Sequence, residues 1–193
     1  IYYSSDSLSS VDLIESMSER ESISEYLFAI PDSIVTNYAA FIITVFDVEG
    51  NSSSDTSNFF SIHDNTPPMV TISDFADGFS IQENESFNIN WTHSDNIAVL
   101  DHLFEYSSNG INYETLLYTS NLTQSFEWSF TLPVVTNTAT IRLTVSDHAG
   151  NTGSDFSSQF SVTDNTPPVI EISTLLNDTT IYIAQQLRLI WSS

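Results

Sequence analysis

The pentapeptide Asp64-Asn65-Thr66-Pro67-Pro68 returns 100 positions later as Asp164-Asn165-Thr166-Pro167-Pro168. Its flanks return in the same ungapped register: Gly50-Asn51 with Gly150-Asn151, Asp55 with Asp155, Phe60-Ser61 with Phe160-Ser161, and Trp91 with Trp191. Self-similarity at a fixed period means one supersecondary unit built repeatedly, and it divides the chain before any element is assigned. Residues 67–166 form one complete unit, residues 1–66 a unit without its opening, and residues 167–193 only such an opening. In the offset matches, Tyr3-Ser4-Ser5 answers to Tyr106-Ser107-Ser108, and Glu25-Tyr26-Leu27-Phe28 to Glu127-Trp128-Ser129-Phe130.

Within the complete unit the apolar period is two, which is the period of a half-buried strand. Phe87, Ile89 and Trp91 alternate with Asn88 and Asn90, and Ile141, Leu143 and Val145 alternate with Arg142 and Thr144. The spacing predicts seven strands, near 69–73, 86–92, 101–107, 112–119, 125–131, 138–147 and 156–163. Turn residues separate them at Ala76-Asp77-Gly78, Ser108-Asn109-Gly110, Pro133 and His148-Ala149-Gly150-Asn151. Seven short strands in such a length predict an all-β fold of tandem immunoglobulin-like sandwiches, with Trp91 between the two sheets. Ser10 to Ser22, with Val11, Leu13, Ile14 and Met17, reads as a short helical turn or as a counterpart of the strand at 112–119.

Several function classes fall to composition. Three Lys+Arg against 25 Asp+Glu give a formal charge of −22, and the cations are Arg20, Arg142 and Arg188. Nucleic acid and anionic membrane surfaces are unsuited partners for such a surface. No apolar run reaches the roughly 18 residues that span a bilayer. With no Cys there is neither disulfide nor thiolate chemistry, and with no Lys there is no Lys-Asn isopeptide crosslink. Five Asn-x-Ser/Thr sequons carry little weight in a chain this rich in Ser and Thr. Lacking an initiator Met and a signal-like opening, the chain reads as a mature or excised segment.

The run Trp91-Thr92-His93-Ser94-Asp95-Asn96, then Tyr106-Ser107-Ser108-Asn109-Gly110, then Thr144 through Asn151 and Asp164-Asn165-Thr166-Pro167-Pro168, resembles the Ig-like modules arrayed in large secreted and surface proteins of prokaryotes. The resemblance covers essentially the whole chain. It implies an elongated tandem array at the cell surface or outside the cell, with calcium often stiffening the junctions. Such modules serve in adhesin stalks, surface layers and fibres, and as spacers beside secreted hydrolases, so fold alone does not give function.

No catalytic constellation stands out, and the chain reads as a non-enzyme. His63, His93, His102 and His148 are scattered and read as ordinary surface residues. A nucleophile elbow and a phosphate loop are both missing. A calcium site is the sharper expectation: Asp95, Asp147, Asn151 and Asp155 should meet the linker residue Asp64 at one end of the sandwich, supplying the oxygens that a hard cation requires. The plain alternative is that Asp147 and Asn151 are turn residues and Asp64 caps the bend before the prolines. Those prolines make a stiff joint rather than a flexible tether.

Strand parity turns Arg142, Ser146 and Gln159 outward, and their counterparts Ile42, Phe46 and Phe59 should form an apolar patch, unless a bulge inverts the face. The segment 167–193 brings Ile181, Ile183, Leu187, Leu189 and Trp191 with nothing of its own to cover them. At about 25 cal/mol per Å² their exposure costs on the order of 10 kcal/mol. The expectation is therefore a self partner: this segment completes the first module of a neighbour, in a head-to-tail polymer or one long covalent array, with Asp164 brought near Asp47, Asn51 and Asp55. That makes a structural filament, sheath or surface-array protein. The alternative is an adhesin stalk or a binding spacer of a secreted enzyme. For carbohydrate, Trp128 and Tyr113 are the only aromatic seeds.

Overall fold

The computed structural model describes residues 1–16, 25–121, 123–129, 135–173, 180–184, 186 and 188–192. The described residues are all-β, and no helix is long and apolar enough to cross a membrane. In chain order the strands are β1 (Tyr2–Ser4), β2 (Asp12–Leu13), β3 (Thr36–Phe46), β4 (Ser52–Thr56), β5 (Phe60–Ile62), β6 (Met69–Ile72), β7 (Ser80–Gln82) and β8 (Ser86–Ser94). They continue as β9 (Val99–Ser107), β10 (Glu114–Thr119), β11 (Ser125–Ser129), β12 (Thr136–Asp147), β13 (Thr152–Phe156), β14 (Phe160–Thr163), β15 (Glu171–Ile172) and β16 (Trp191–Ser192).

Strands β6 to β14 close an immunoglobulin-like sandwich. One sheet runs β11-β8-β6; the other runs β10-β9-β12-β14-β7, with β13 also on β12. Between them lie Ile89, Trp91, Phe104, Ile141, Leu143, Val145 and Phe160, all buried. Of these, Ile89, Trp91, Ile141, Leu143 and Val145 belong to the alternating rows read from the sequence. Two features differ from expectation. Ser80–Gln82 is a further strand, parallel to β14, too short to show a period. Of the stretch 156–163 only Phe160–Thr163 forms the expected strand, and a separate strand, Thr152–Phe156, precedes it, because Ser157 interrupts the ladder: its N–H donates to the Ile141 carbonyl at 2.9 Å and its Oγ accepts the Ile141 N–H at 2.9 Å. Ser57 repeats both bonds with Phe41.

The N-terminal sheet, β2-β1-β3-β4 with β5 on β3, is the second sheet of that sandwich without the first. The match to β11 falls at 23–27, and its described part, 25–27, holds no strand. The reason is topological: β11 pairs only with β8, and the N-terminal sheet has no such partner among the described residues. Phe28 still packs on Tyr3 and Phe41, which leaves the far end of β3 bare. Ile43 and Val45 are 53% and 60% exposed, whereas Leu143 and Val145 are both 0%. Asp12–Leu13 pairs with β1, so the described part of the ambiguous stretch holds strand rather than helix; positions 17–22 of it lie outside the described residues.

At the C-terminal end the first two strands of a sandwich reappear alone. Ile172 faces Trp191 as Ile72 faces Trp91, and Ser173 N donates to the Ile190 carbonyl at 2.9 Å as Ser73 N does to Asn90 at 3.0 Å. Ala184 holds the positive φ of Asn84, 66° against 64°. The local hairpin register is thus kept without the opposing sheet, and Trp191 is 61% exposed where Trp91 is 2%.

Candidate metal centre at the module junction

Asp147 ends β12 and folds the following turn around its own carboxylate. Oδ1 accepts N–H groups from Ala149 and Asn151, each at 2.8 Å, and Oδ2 accepts the Asn151 amide at 2.7 Å. Gly150, at φ +91°, permits the reversal that brings those donors round. Burial pushes this carboxyl up, and the Asn151 side chain with the N–H groups of Asn151, Ala149 and Gly150 outweighs it, leaving the group below its ordinary value. In the N-terminal sheet Asp47 and Asn51 form the same turn, with Asn51 bonds of 2.7 Å to both carboxylate oxygens. The Asp47 carboxyl is lowered, chiefly by the Asn51 side chain.

Two more carboxylates reach Asp147. Asp95 caps the turn between β8 and β9, Oδ2 accepting from Ile97 and Ala98 at 3.0 Å each, while its Oδ1 is buried and unpartnered. Asp64 comes in from the linker, its Oδ1 accepting the Thr66 N–H at 3.0 Å and the Asn96 amide at 3.1 Å. Carboxylate oxygens of Asp64, Asp95 and Asp147 lie within 4.8 Å of one another. At an effective dielectric near 20, unit charges at that distance repel by about 3 kcal/mol per pair. Among the described residues the one ion pair is Arg142 with Glu105, so no side-chain cation neutralises the cluster.

Asn96 is the residue that sequence reading missed. Its amide nitrogen also donates to the Asp32 carbonyl at 2.6 Å, tying a loop of the N-terminal sheet, the linker and the central sandwich together. Its Oδ1 is buried and unpartnered. Proximity to Asp95 was the only signal for it, and Asp32 offered none. The grouped donors are wholly oxygen, the carboxylates of Asp64, Asp95 and Asp147. That suits a hard cation of calcium type better than a thiophilic or imidazole-seeking one.

One expected ligand of this cluster goes elsewhere. Asp155 is committed to the main chain, Oδ2 accepting the Ile72 N–H at 2.8 Å, because it sits within β13 beside β6 rather than in the turn. Its counterpart Asp55 has no strand to receive and accepts from its neighbour Thr56 at 2.9 Å. Asp164 repeats the Asp64 bend with a 2.7 Å bond from Thr66's counterpart Thr166, and that N–H, followed by contact with Glu83, holds its carboxyl low.

Of the expected contact residues, Phe46 and Phe59 are exposed and Ile42 is half-buried. Ile181, Leu189 and Trp191 are exposed. Ile183 is fully exposed too, but it stands at the turn position of Glu83, which is not a core position of the central sandwich. Leu187 lies outside the described residues. The carbohydrate seeds are both spoken for: Trp128 is buried against Phe87 and Tyr106, and Tyr113 lies 4.4 Å beneath the Arg142 guanidinium.

The histidines are not all scattered surface residues. His102 is buried in β9, and its Nε2 lies 3.0 Å from Nδ1 of His93 on β8, so the pair joins the two sheets beside Trp91. Sequence spacing hides it because β8 and β9 meet only across the sandwich. Burial, then the charge of His93, lowers His102 below the ordinary imidazole range.

No protein-family model matches the chain, and no curated protein does. Among solved structures it is similar to the fibronectin(III)-like modules of Clostridium thermocellum CbhA, at 14% identity and TM-score 0.42 over 66% of this chain and 62% of that one. It is similar to an Antarctic bacterium's Ca2+-stabilized, ice-binding adhesin, at 18% identity and TM-score 0.35 over 74% of this chain and 36% of the other. A third is the beta-1,2-glucanase of Parabacteroides distasonis, at 16% identity and TM-score 0.34 over 63% and 17%. The chain spans less than two thirds of each.

Proposed function

We propose that this chain is a non-catalytic section of an extracellular structural array, built from immunoglobulin-like modules that complete one another by adding strands and are braced by calcium at their junctions. The observation that carries it is the pair of matching bare surfaces. Ile43 and Val45 lie open where Leu143 and Val145 are covered, and Ile181, Leu189 and Trp191 lie open where Ile81, Ile89 and Trp91 do the covering. Burying five such half-exposed side chains recovers on the order of 5 kcal/mol, a large part of a domain's stability. Asp55, turned onto its own neighbour, is free to take the N–H of an entering strand as Asp155 takes that of Ile72. The addition is heterologous, so it extends an array rather than closing a ring. The completing strand belongs to another chain or to a further repeat of one longer polypeptide.

Its entry path is not a copy of the central one. A Cβ at Gly153 would stand 1.9 Å from the Pro68 carbonyl oxygen, and the corresponding residue of the N-terminal sheet is Ser53. A strand entering there has to pass displaced from Ser53, engaging only after its Pro167-Pro168 pair.

In the cation reading, Asp64, Asp95 and Asp147 hold the ion, which offsets their repulsion and fixes the linker against the sandwich. The test of strand completion is Trp191 fluorescence with electron microscopy. Concentration-dependent blue-shifting of Trp191 together with filaments, both abolished by Ile43→Asp, is the expected result. A solvent-exposed Trp191 at every concentration, or assembly indifferent to Ile43→Asp, overturns it.

A further inference from the structure

His93 and His102 are used neither by the junction nor by strand completion. Their rings come from the two different sheets of the central sandwich, on β8 and β9, and meet with Nδ1 of His93 and Nε2 of His102 3.0 Å apart. A hydrogen bond between them occupies one nitrogen of each ring. The Thr119 main chain stands near enough to favour a proton on His102, yet no hydrogen bond of normal geometry reaches Nδ1 of that ring, which is buried and unpartnered. His102 is 0% exposed, and a hydrophobic side chain in its place would leave no polar atom unsatisfied. A buried polar group kept half-satisfied calls for a role, and holding an ion is one such role.

The distance between the rings favours one kind of ion. Imidazole nitrogens bind divalent metals of the first transition row at about 2.0–2.1 Å, so two nitrogens 3.0 Å apart subtend about 94° at an ion held at that length. Tetrahedral ligands of zinc would stand about 3.3 Å apart. A near right angle between neighbouring ligands belongs to tetragonal copper(II) or nickel(II), and copper(II) binds nitrogen sites the more tightly of the two.

The site is partly prepared. His102 is clamped, its ring edge-on to Trp91 at 5.5 Å and stacked on Phe104 at 6.4 Å. His93 is half-buried and tilted 47° from the His102 ring at a centroid distance of 4.9 Å. It is therefore the ring that can turn until both lone pairs converge, with the ion about 1.4 Å off the line between the nitrogens. The proton now lying between the rings moves to the remote nitrogen of whichever ring carries it, and two neutral imidazoles supply the lone pairs. Among the described residues no third His, Asp or Glu groups with the pair, so water fills the remaining coordination positions. A chain charge of −22 raises the local concentration of any cation, and a chain without Cys offers no thiolate to compete for it.

We propose that His93 and His102 form a second metal site, an open two-imidazole site for copper(II)-type ions that ties the two sheets of the central sandwich together and is distinct from the oxygen cluster at the junction.

The experiment titrates copper(II) chloride into the full chain, with calcium in large excess so that carboxylates do not compete. Electron paramagnetic resonance should show a tetragonal signal split by two imidazole nitrogens. Buried-tryptophan fluorescence should be quenched in step with it, because Trp91 lies beside His102. His93→Gln should weaken binding at least about tenfold with unchanged circular dichroism, whereas His63→Gln together with His148→Gln should leave it unchanged. Should His93→Gln misfold, His102→Phe, which keeps a ring against Trp91, serves as the second variant. No bound copper, a signal from oxygen ligands alone, a nitrogen-split signal that survives these substitutions, or zinc held more tightly than copper overturns the proposal.

Discussion

Replacing Asp64 by Asn gives the sharpest test of the junction, because the effect should change sign with calcium. The amide keeps an oxygen for the Thr66 N–H and removes one of three negative charges within 4.8 Å. Two repulsions of about 3 kcal/mol each disappear at an effective dielectric near 20. Asp64 and Asp95 are only partly buried, so salt and solvent screening reduce the sum to about 2 kcal/mol. In chelator, Asp64→Asn should therefore melt about 10 °C above the unaltered chain, at 4–8 °C per kcal/mol for a unit of this size. In saturating calcium the order should reverse, since the unaltered chain gains about 2.7 kcal/mol at a hundredfold excess over its dissociation constant and the variant gains much less. Differential scanning calorimetry in chelator and in calcium reads both arms. A variant equally less stable in both would refute the electrostatic argument and leave Asp64 as a bend residue.

Leu143→Ala should cost about 2–5 kcal/mol in chemical denaturation of the central sandwich, while Ile43→Ala, already exposed, should cost well under 1 in dispersed chains. Gly153→Ala should loosen the β6–β13 contact, because its Cβ meets the Pro68 carbonyl at 1.9 Å; faster amide exchange at Ile72 reads this out, and unchanged exchange refutes it. Stability of the central sandwich should fall as pH drops from about 6.5. His102 is lowered in the folded state, so the unfolded chain binds its proton first, and the contribution is present above the ordinary imidazole value and lost through the lower folded one. His102→Phe should flatten the melting temperature between pH 7 and 5, and an unaltered slope would count against the pair. Below that range the lowered Asp147 acts with the same sign, its stabilisation vanishing as the carboxylate is protonated.

Period and parity belong to local sequence, and they sufficed for the repeat, the all-β class, the inward rows of β8 and β12 and the hairpin turns. Hydrogen bonding within one turn likewise made Asp147 with Asn151, and Asp47 with Asn51, legible from spacing alone. Contacts made across the sandwich were not. Asn96 bonds to Asp32 and Asp64, Asp155 to Ile72, and His102 to His93, each through elements whose meeting depends on how two sheets stack and where the linker lands. The same limit explains the missing strand at 25–27: its residues match β11, but a strand exists only where a neighbouring ladder accepts its N–H and C=O groups. Sequence thus determined which side chains want cover. Tertiary structure decided which receive it, because burial is a property of the opposing sheet and not of the residue.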